Sequence, residues 1–144
     1  MSLKKSNQDS EISLRDAAEA DVAALEQFLE PFVSAAHILP RSTEDLRTLI
    51  EHGFVAEESE EIVGFAAIEI YSQKLAEVQA LAVASRVQGQ GVGTKLVECC
   101  IARAKERGVL ELMAITASES LFRNVGFDYS LPNQKRALFV QTRE

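Results

Sequence analysis

Three of the chain's 7 glycines, Gly89, Gly91 and Gly93, fall within the six-residue run Gln88-Gly89-Gln90-Gly91-Val92-Gly93. On its N-terminal side, residues 75–84 alternate with period two, placing Val78, Ala80 and Ala82 on one face and Glu77, Gln79, Leu81 and Val83 on the other. On its C-terminal side, residues 92–107 carry a helical pattern that ends at Gly108. A strand, a glycine turn and a helix in that order demand a layered α/β packing. Glycine reaches positive φ and lets a ligand approach the backbone, and the first amides of the next helix lack intrahelical acceptors, so such a turn can hold an anion. It can also serve as a tight connection without a ligand. A Walker loop requires Gly-Lys-Ser/Thr, but Thr94 separates Gly93 from Lys95. A dinucleotide fingerprint requires GxGxxG after the first strand; here Thr94 stands at the third position and the turn lies past mid-chain. Neither nucleotide fold fits.

The remaining segments supply partners for that unit. Ile12 and Leu14 alternate in a short strand, and Val22, Leu25, Phe28, Leu29 and Phe32 form one face of a helix that Pro31 is expected to terminate. Ser42 or Thr43 can cap a second helix bearing Leu46, Leu49 and Ile50. Residues 54–57 and 62–71 read as strands joined through Glu58-Ser59-Glu60-Glu61, followed after the glycine unit by a strand at 109–116, a helix at 118–124 and a last strand at 136–142. The expected architecture is α/β (α+β) with a mixed, mostly antiparallel sheet. At 144 residues and 47% hydrophobic content, residues 10–144 are expected to form one domain behind a disordered tail at 1–9.

The net charge of -7 argues against nucleic acid or an anionic membrane as partner. No apolar run reaches the ~20 residues that span a bilayer, and residues 1–10 have no signal-peptide core, which makes a cytoplasmic location the expectation. Cys99 and Cys100 are adjacent, without a CxxC or a nearby His, and read as reduced packing residues; no metal site is expected. The acids are unevenly spread. Residues 86–109 hold 5 basic and 2 acidic side chains, a local excess of positive charge around the glycine turn.

The pattern Gln88-x-x-Gly91-x-Gly93, preceded by Leu81-Ala82-Val83 and followed by an amphipathic helix, resembles the pyrophosphate-binding motif of the Gcn5-related N-acetyltransferase (GNAT) superfamily. Leu121-Phe122-Arg123-Asn124-Val125-Gly126-Phe127 resembles that family's downstream helix with its Gly-Phe ending, so the likeness extends from Ile12 to the C-terminus. It implies a central sheet flanked by helices and splayed in the middle, after the strand bearing Glu77, with acetyl-CoA as co-substrate entering the split. It also implies that the amides of Gln88, Gly89, Gln90, Gly91, Val92, Gly93 and Thr94 bind phosphate oxygens, and that Leu81, Ala82 and Val83 pair with the pantetheine arm. A backbone N–H near Val83 would polarise the thioester carbonyl.

Acetyl transfer to an amine requires a base near the thioester, and Glu77 stands a few residues before Leu81. Position alone leaves it equally a solvated strand residue. A narrower likeness bears on this choice: residues 35–50, with Ile38-Leu39-Pro40-Arg41-Ser42, the run Lys74-Leu75-Ala76-Glu77, and the ending Leu131-Pro132-Asn133-Gln134-Lys135-Arg136-Ala137-Leu138 resemble the acetyltransferase domain of N-acetylglutamate synthase. The resemblance implies L-glutamate as acceptor, in arginine biosynthesis. Arg41, Lys74 and Arg143 would hold the substrate, Glu77 would be the base and Ser118 the acid for the leaving thiolate. A dicarboxylate does ask for two or more cations, and arginine's fork matches a carboxylate. The sequence departs from the wider family at Phe122, where a tyrosine often serves as acid, and at Gln88, which replaces a basic residue. The alternatives are another small amine or a protein N-terminus as acceptor, or a CoA-binding module without catalysis. Edge strands and Leu138-Phe139-Val140 leave room for a homodimer.

Overall fold

The computed structural model describes residues 11–129, 138 and 140–142. Its chain order is β1 (Ile12–Asp16), α1 (Val22–Ser34), α2 (Thr43–Leu49), β2 (Gly53–Glu58), β3 (Glu61–Ile70), β4 (Leu75–Val83), α3 (Val92–Glu106), β5 (Glu111–Met113) and α4 (Glu119–Asn124), with short 3-10 turns between several of them. The five described strands form one sheet in the order β1-β2-β3-β4-β5. Neighbours from β1 to β4 are antiparallel, and β5 joins β4 in parallel. The expected tail at 1–9, residues 136, 137 and 139 of the expected strand at 136–142, and Arg143 lie outside the described residues, and residues 138 and 140–142 carry no strand pairing.

Helices cover both faces. On one, Val22, Leu25 and Leu29 of α1 and Leu46 and Leu49 of α2 pack with Val55, Phe65 and Ala67 of the sheet. On the other, Val92, Leu96, Val97 and Cys100 of α3 pack with Ala56, Val63, Ala66 and Ile68. Local chemistry explains the boundaries. Ser42 caps α2, its Oγ accepting the Asp45 N–H at 3.0 Å. Ser59 and Glu60 both take positive φ, 51° and 67°, the conformation a two-residue hairpin turn requires.

Pro31 does not end α1, which continues to Ser34. Near an exposed C-terminus proline removes only one donor, and the last turn is retained by Phe32, whose ring centroid lies 5.4 Å from that of Phe28. The chain leaves the helix at Ala36, with φ +61°.

The expected face assignment of β4 is also corrected. Phe65 pairs with Ala82 and Ala67 with Gln79, so Ala80 and Leu81 together oppose Ala66. This β-bulge turns on Ala80, held at φ +58°. Upstream, Ala76 and Val78 face α3; downstream, Ala80 and Ala82 face α1 and α2, while Leu81 and Val83 turn toward α3. A single extra residue has exchanged the two faces of the strand.

Candidate active site

The parallel pairing of β4 with β5 covers only Leu75, Ala76 and Glu77 against Glu111, Leu112 and Met113. Beyond Glu77 the two strands part. β5 is shorter than the expected 109–116 because, after Met113, the chain leaves β4 and lines the gap with Ala114, Ile115, Thr116, Ala117 and Ser118. A cleft of about 1090 Å³ fills the space, running from residues 36–41 past β4 to the first turn of α3 and the start of α4. The splay thus falls where the family resemblance implied.

At the α3 end, Gly89 and Gly91 take φ +86° and +83°, which side-chain-bearing residues rarely adopt. Gly91 is the N-cap of α3, and no side chain caps this end; the Lys95 N–H makes the first return bond, to the Gly91 carbonyl at 3.1 Å. The amides of Val92, Gly93 and Thr94 therefore have no intrahelical acceptor and sit at the positive end of the helix dipole, on the cleft wall. Gly93 serves packing: a Cβ there would stand 3.1 Å from Leu121 Cδ1 and 3.6 Å from Val83 Cγ2. Leu81, Ala82, Val83, Gln88 and Gly89 also line the cleft, whereas Gln90 does not. The Gln88 amide donates to the Val83 carbonyl at 3.2 Å, tying the glycine turn to the end of β4.

The local positive charge is more committed than its composition suggests. Arg86 pairs with Glu58 and Glu61 of the β2–β3 hairpin, and Arg103 with Asp16 and Glu106. Backbone amides, rather than these cations, make the anion-attracting end.

At the other end stands a polar network. Arg41, half-buried, donates to the Leu39 carbonyl at 3.2 Å and to Gln79 Oε1. The Gln79 amide nitrogen donates to Glu77 Oε1 at 3.1 Å, and the Tyr71 hydroxyl donates to the same Oε1 at 2.6 Å. Glu69 is the register partner of Glu77 across the β3–β4 ladder. Burial pulls the Arg41 guanidinium down from its ordinary range, against the opposing charges of Glu69, Asp45 and Glu77. Burial and then the bond to Glu77 push the Tyr71 phenol up to about 12, so it remains a donor at neutral pH.

Of the sequence-derived site residues, Arg41, Glu77 and Ser118 meet in this cleft with the donor-side backbone. Ser118 precedes α4, its N–H donating to Thr116 Oγ1 at 2.8 Å. Lys74 lies in the β3–β4 turn, outside the cleft lining. Phe122 is buried and meets Phe127 edge-on, centroids 5.1 Å apart, a packing role. Tyr71, Gln79 and Glu69 were missed. The register of the β3–β4 hairpin was the signal that could have found them, because it sets Glu69 opposite Glu77. Among the described residues no cluster of His, Cys, Asp or Glu is arranged to hold a metal, and no helix is long and apolar enough to cross a membrane.

The sheet thus splits just beyond Glu77, and the glycine turn opens an uncapped helix beside that split. The chain belongs to the acetyltransferase (GNAT) family, which its residues 20–127 match, and it is an acetyl-CoA-dependent N-acetyltransferase. It is 33% identical over 114 residues to an uncharacterised N-acetyltransferase of Chlorobaculum tepidum, covering 79% of this chain and 74% of that one. It is 32% identical over 132 residues to the amino-acid acetyltransferase of Ralstonia nicotianae, covering 88% of this chain but only 29% of that protein. In fold it is similar to the N-acetylglutamate synthase of Neisseria gonorrhoeae complexed with coenzyme A and N-acetyl-glutamate, with a TM-score of 0.75, 24% identity, and coverage of 88% and 30%. A Mycobacterium tuberculosis protein solved in complex with CoA matches with a TM-score of 0.72 and 22% identity over 81% of this chain and 72% of that one.

Proposed function

We propose that this protein transfers the acetyl group to the α-amine of an amino acid, with L-glutamate the leading acceptor, in the manner of an N-acetylglutamate synthase. The observation that carries this reading is the placement of the Arg41 guanidinium and the Glu77 carboxylate in one cleft, joined through Gln79. The similarity to the amino-acid acetyltransferase of Ralstonia nicotianae supports it.

Acetyl-CoA supplies the activated acetyl group when bound. The donor half of the cleft fits it: the amides at the start of α3 suit its phosphates, and the edge of β4 beyond Glu77, free of β5, suits its amide-bearing arm. Arg41 would take the acceptor's carboxylate through its fork, holding the amine near Glu77. Both donors to Glu77 fall on Oε1, so Oε2 is the oxygen that takes a proton from the ammonium and leaves the amine nucleophilic. Ser118, on the opposite wall, offers a hydroxyl to the departing sulfur; Phe122 has none to offer. Transfer is direct. Cys100 lies buried on the sheet-facing side of α3 with its thiol pushed up to about 12 by burial, and neither cysteine lines the cleft, so no thiol is placed to carry the acetyl group.

The test is acetyl-CoA-dependent thiol release with glutamate, aspartate, glutamine and alanine, for the natural protein and Arg41→Ala. Glutamate is expected to be preferred. Loss of a charge-assisted carboxylate contact should raise its KM about 10- to 100-fold and leave the KM for acetyl-CoA within about twofold. Equal turnover of alanine and glutamate, or glutamate turnover indifferent to Arg41→Ala, overturns the acceptor assignment. Retained CoA binding with no turnover of any amine would make the chain a CoA-binding module.

A further inference from the structure

We infer that Gln79 is a positioning residue that tunes this cleft for zwitterionic acceptors, because its amide holds a cation and a carboxylate on one wall while keeping them from neutralising each other. The inference rests on the amino-acid reading above. A guanidinium has only donors and an ionised carboxylate only acceptors. The Gln79 amide satisfies both, its Oε1 accepting from Arg41 Nη2 and its Nε2 donating to Glu77 Oε1 at 3.1 Å. Chemistry fixes the orientation: reversing the amide would set donor against donor at Arg41 and acceptor against acceptor at Glu77.

A long flexible arginine and a glutamate on the same cleft wall would ordinarily close into an ion pair. The intervening amide supplies a hydrogen bond to each without supplying a charge, so each retains its field. An amino acid presents the complement, with a carboxylate for Arg41 and an ammonium for Glu77, the one of the register pair Glu69 and Glu77 that lines the cleft. Tyr71 supports the same arrangement by donating to Glu77 Oε1 at 2.6 Å, the oxygen that Gln79 also holds.

Two substitutions separate this role from mere packing. Gln79→Glu keeps the shape but gives Arg41 an internal partner and sets a like charge beside Glu77; Gln79→Met keeps the length and removes both hydrogen bonds. Kinetics are measured on the full chain with acetyl-CoA and two acceptors, glutamate and the amine that remains when its α-carboxylate is removed. For Gln79→Glu, the glutamate KM should rise about tenfold or more, and the acidic limb of its kcat/KM profile should move to higher pH by about one unit. Gln79→Met should raise the glutamate KM about tenfold, and in both variants the KM for acetyl-CoA should stay within about twofold. A packing role would raise the KM of both acceptors alike in Gln79→Met, whereas the positioning role raises that of glutamate selectively. If the natural protein uses the decarboxylated amine as well as glutamate, the amino-acid reading fails and this inference falls with it. If it prefers glutamate and both variants retain the natural glutamate KM and pH profile, only the role of Gln79 is overturned. Should Gln79→Glu fail to fold, the ratio of the two KM values in Gln79→Met decides.

Discussion

Gly64→Ala probes how tightly α3 must sit on the sheet for its N-terminus to reach the cleft. Gly64 is buried in β3, and a Cβ there would stand 3.0 Å from Leu96 Cδ1, 3.1 Å from Val92 Cγ1 and 3.2 Å from Ala56 Cβ. Each contact is roughly 0.3–1.0 Å shorter than the ~3.5–4.0 Å at which carbon atoms attract. Leu96 can rotate away, but Ala56 is fixed on the neighbouring strand as the register partner of Gly64, and Val92 is β-branched at the first position of α3. Overpacking of this kind costs about 1–3 kcal/mol, and the lower entropy of the unfolded chain returns about 0.4–1 kcal/mol. The expected net loss is about 1–2 kcal/mol, or a fall in Tm of about 2–8 °C for a domain of this size. Because the chain contains 0 tryptophans and 2 tyrosines, urea unfolding should be followed by far-UV circular dichroism. Lifting Val92 moves the amides at the cleft, so the KM for acetyl-CoA should rise as well. A variant as stable as the natural protein, with an unchanged KM for acetyl-CoA, would refute the claim that glycine is required for this close approach.

Gly91→Ala separates conformation from contact, since no atom lies within 4 Å of the added Cβ but φ is +83°. It should cost about 1–2 kcal/mol of stability and raise the acetyl-CoA KM severalfold, with the glutamate KM unchanged in the same kinetic assay. His52 is held below its usual 6.5 by burial and then by the charges of Arg107 and Arg103, and its Nδ1 meets Arg103 Nη1 at 3.2 Å. Between the folded value and 6.5 the unfolded chain binds more protons than the folded one, so this site's contribution is full above 6.5 and fades as pH falls below it. His52→Gln should flatten that slope in urea midpoints measured from about pH 5 to about pH 7.5; parallel curves for the two proteins would refute it.

The donor half of the site was legible because its chemistry is written into a few consecutive residues. Gly89 and Gly91 occupy backbone conformations that only glycine reaches cheaply, and the helix they open follows at once. The bulge was not legible, because alanine gives no sign that it will occupy φ +58°; the ladder imposes that on Ala80, and the alternation read along β4 fails from that residue onward. The acceptor half was legible only in part. Glu77 and Arg41 could be named from local likeness, but Gln79 and Tyr71 acquire their roles through the hairpin register and the approach of the segment after α1. The charge around the glycine turn misled for a related reason. Arg86 stands in sequence beside the turn, yet its partners Glu58 and Glu61 are more than twenty residues earlier on a different hairpin.

The reversal of β4 at Ala80 also shapes the cleft. Because the strand shows opposite faces before and after that residue, the cleft wall it supplies turns from one helical layer toward the other, with residues 36–41 lining one end and the glycine turn the other. On the proposed reading, donor and acceptor would then lie end to end along one strand and could occupy the cleft together.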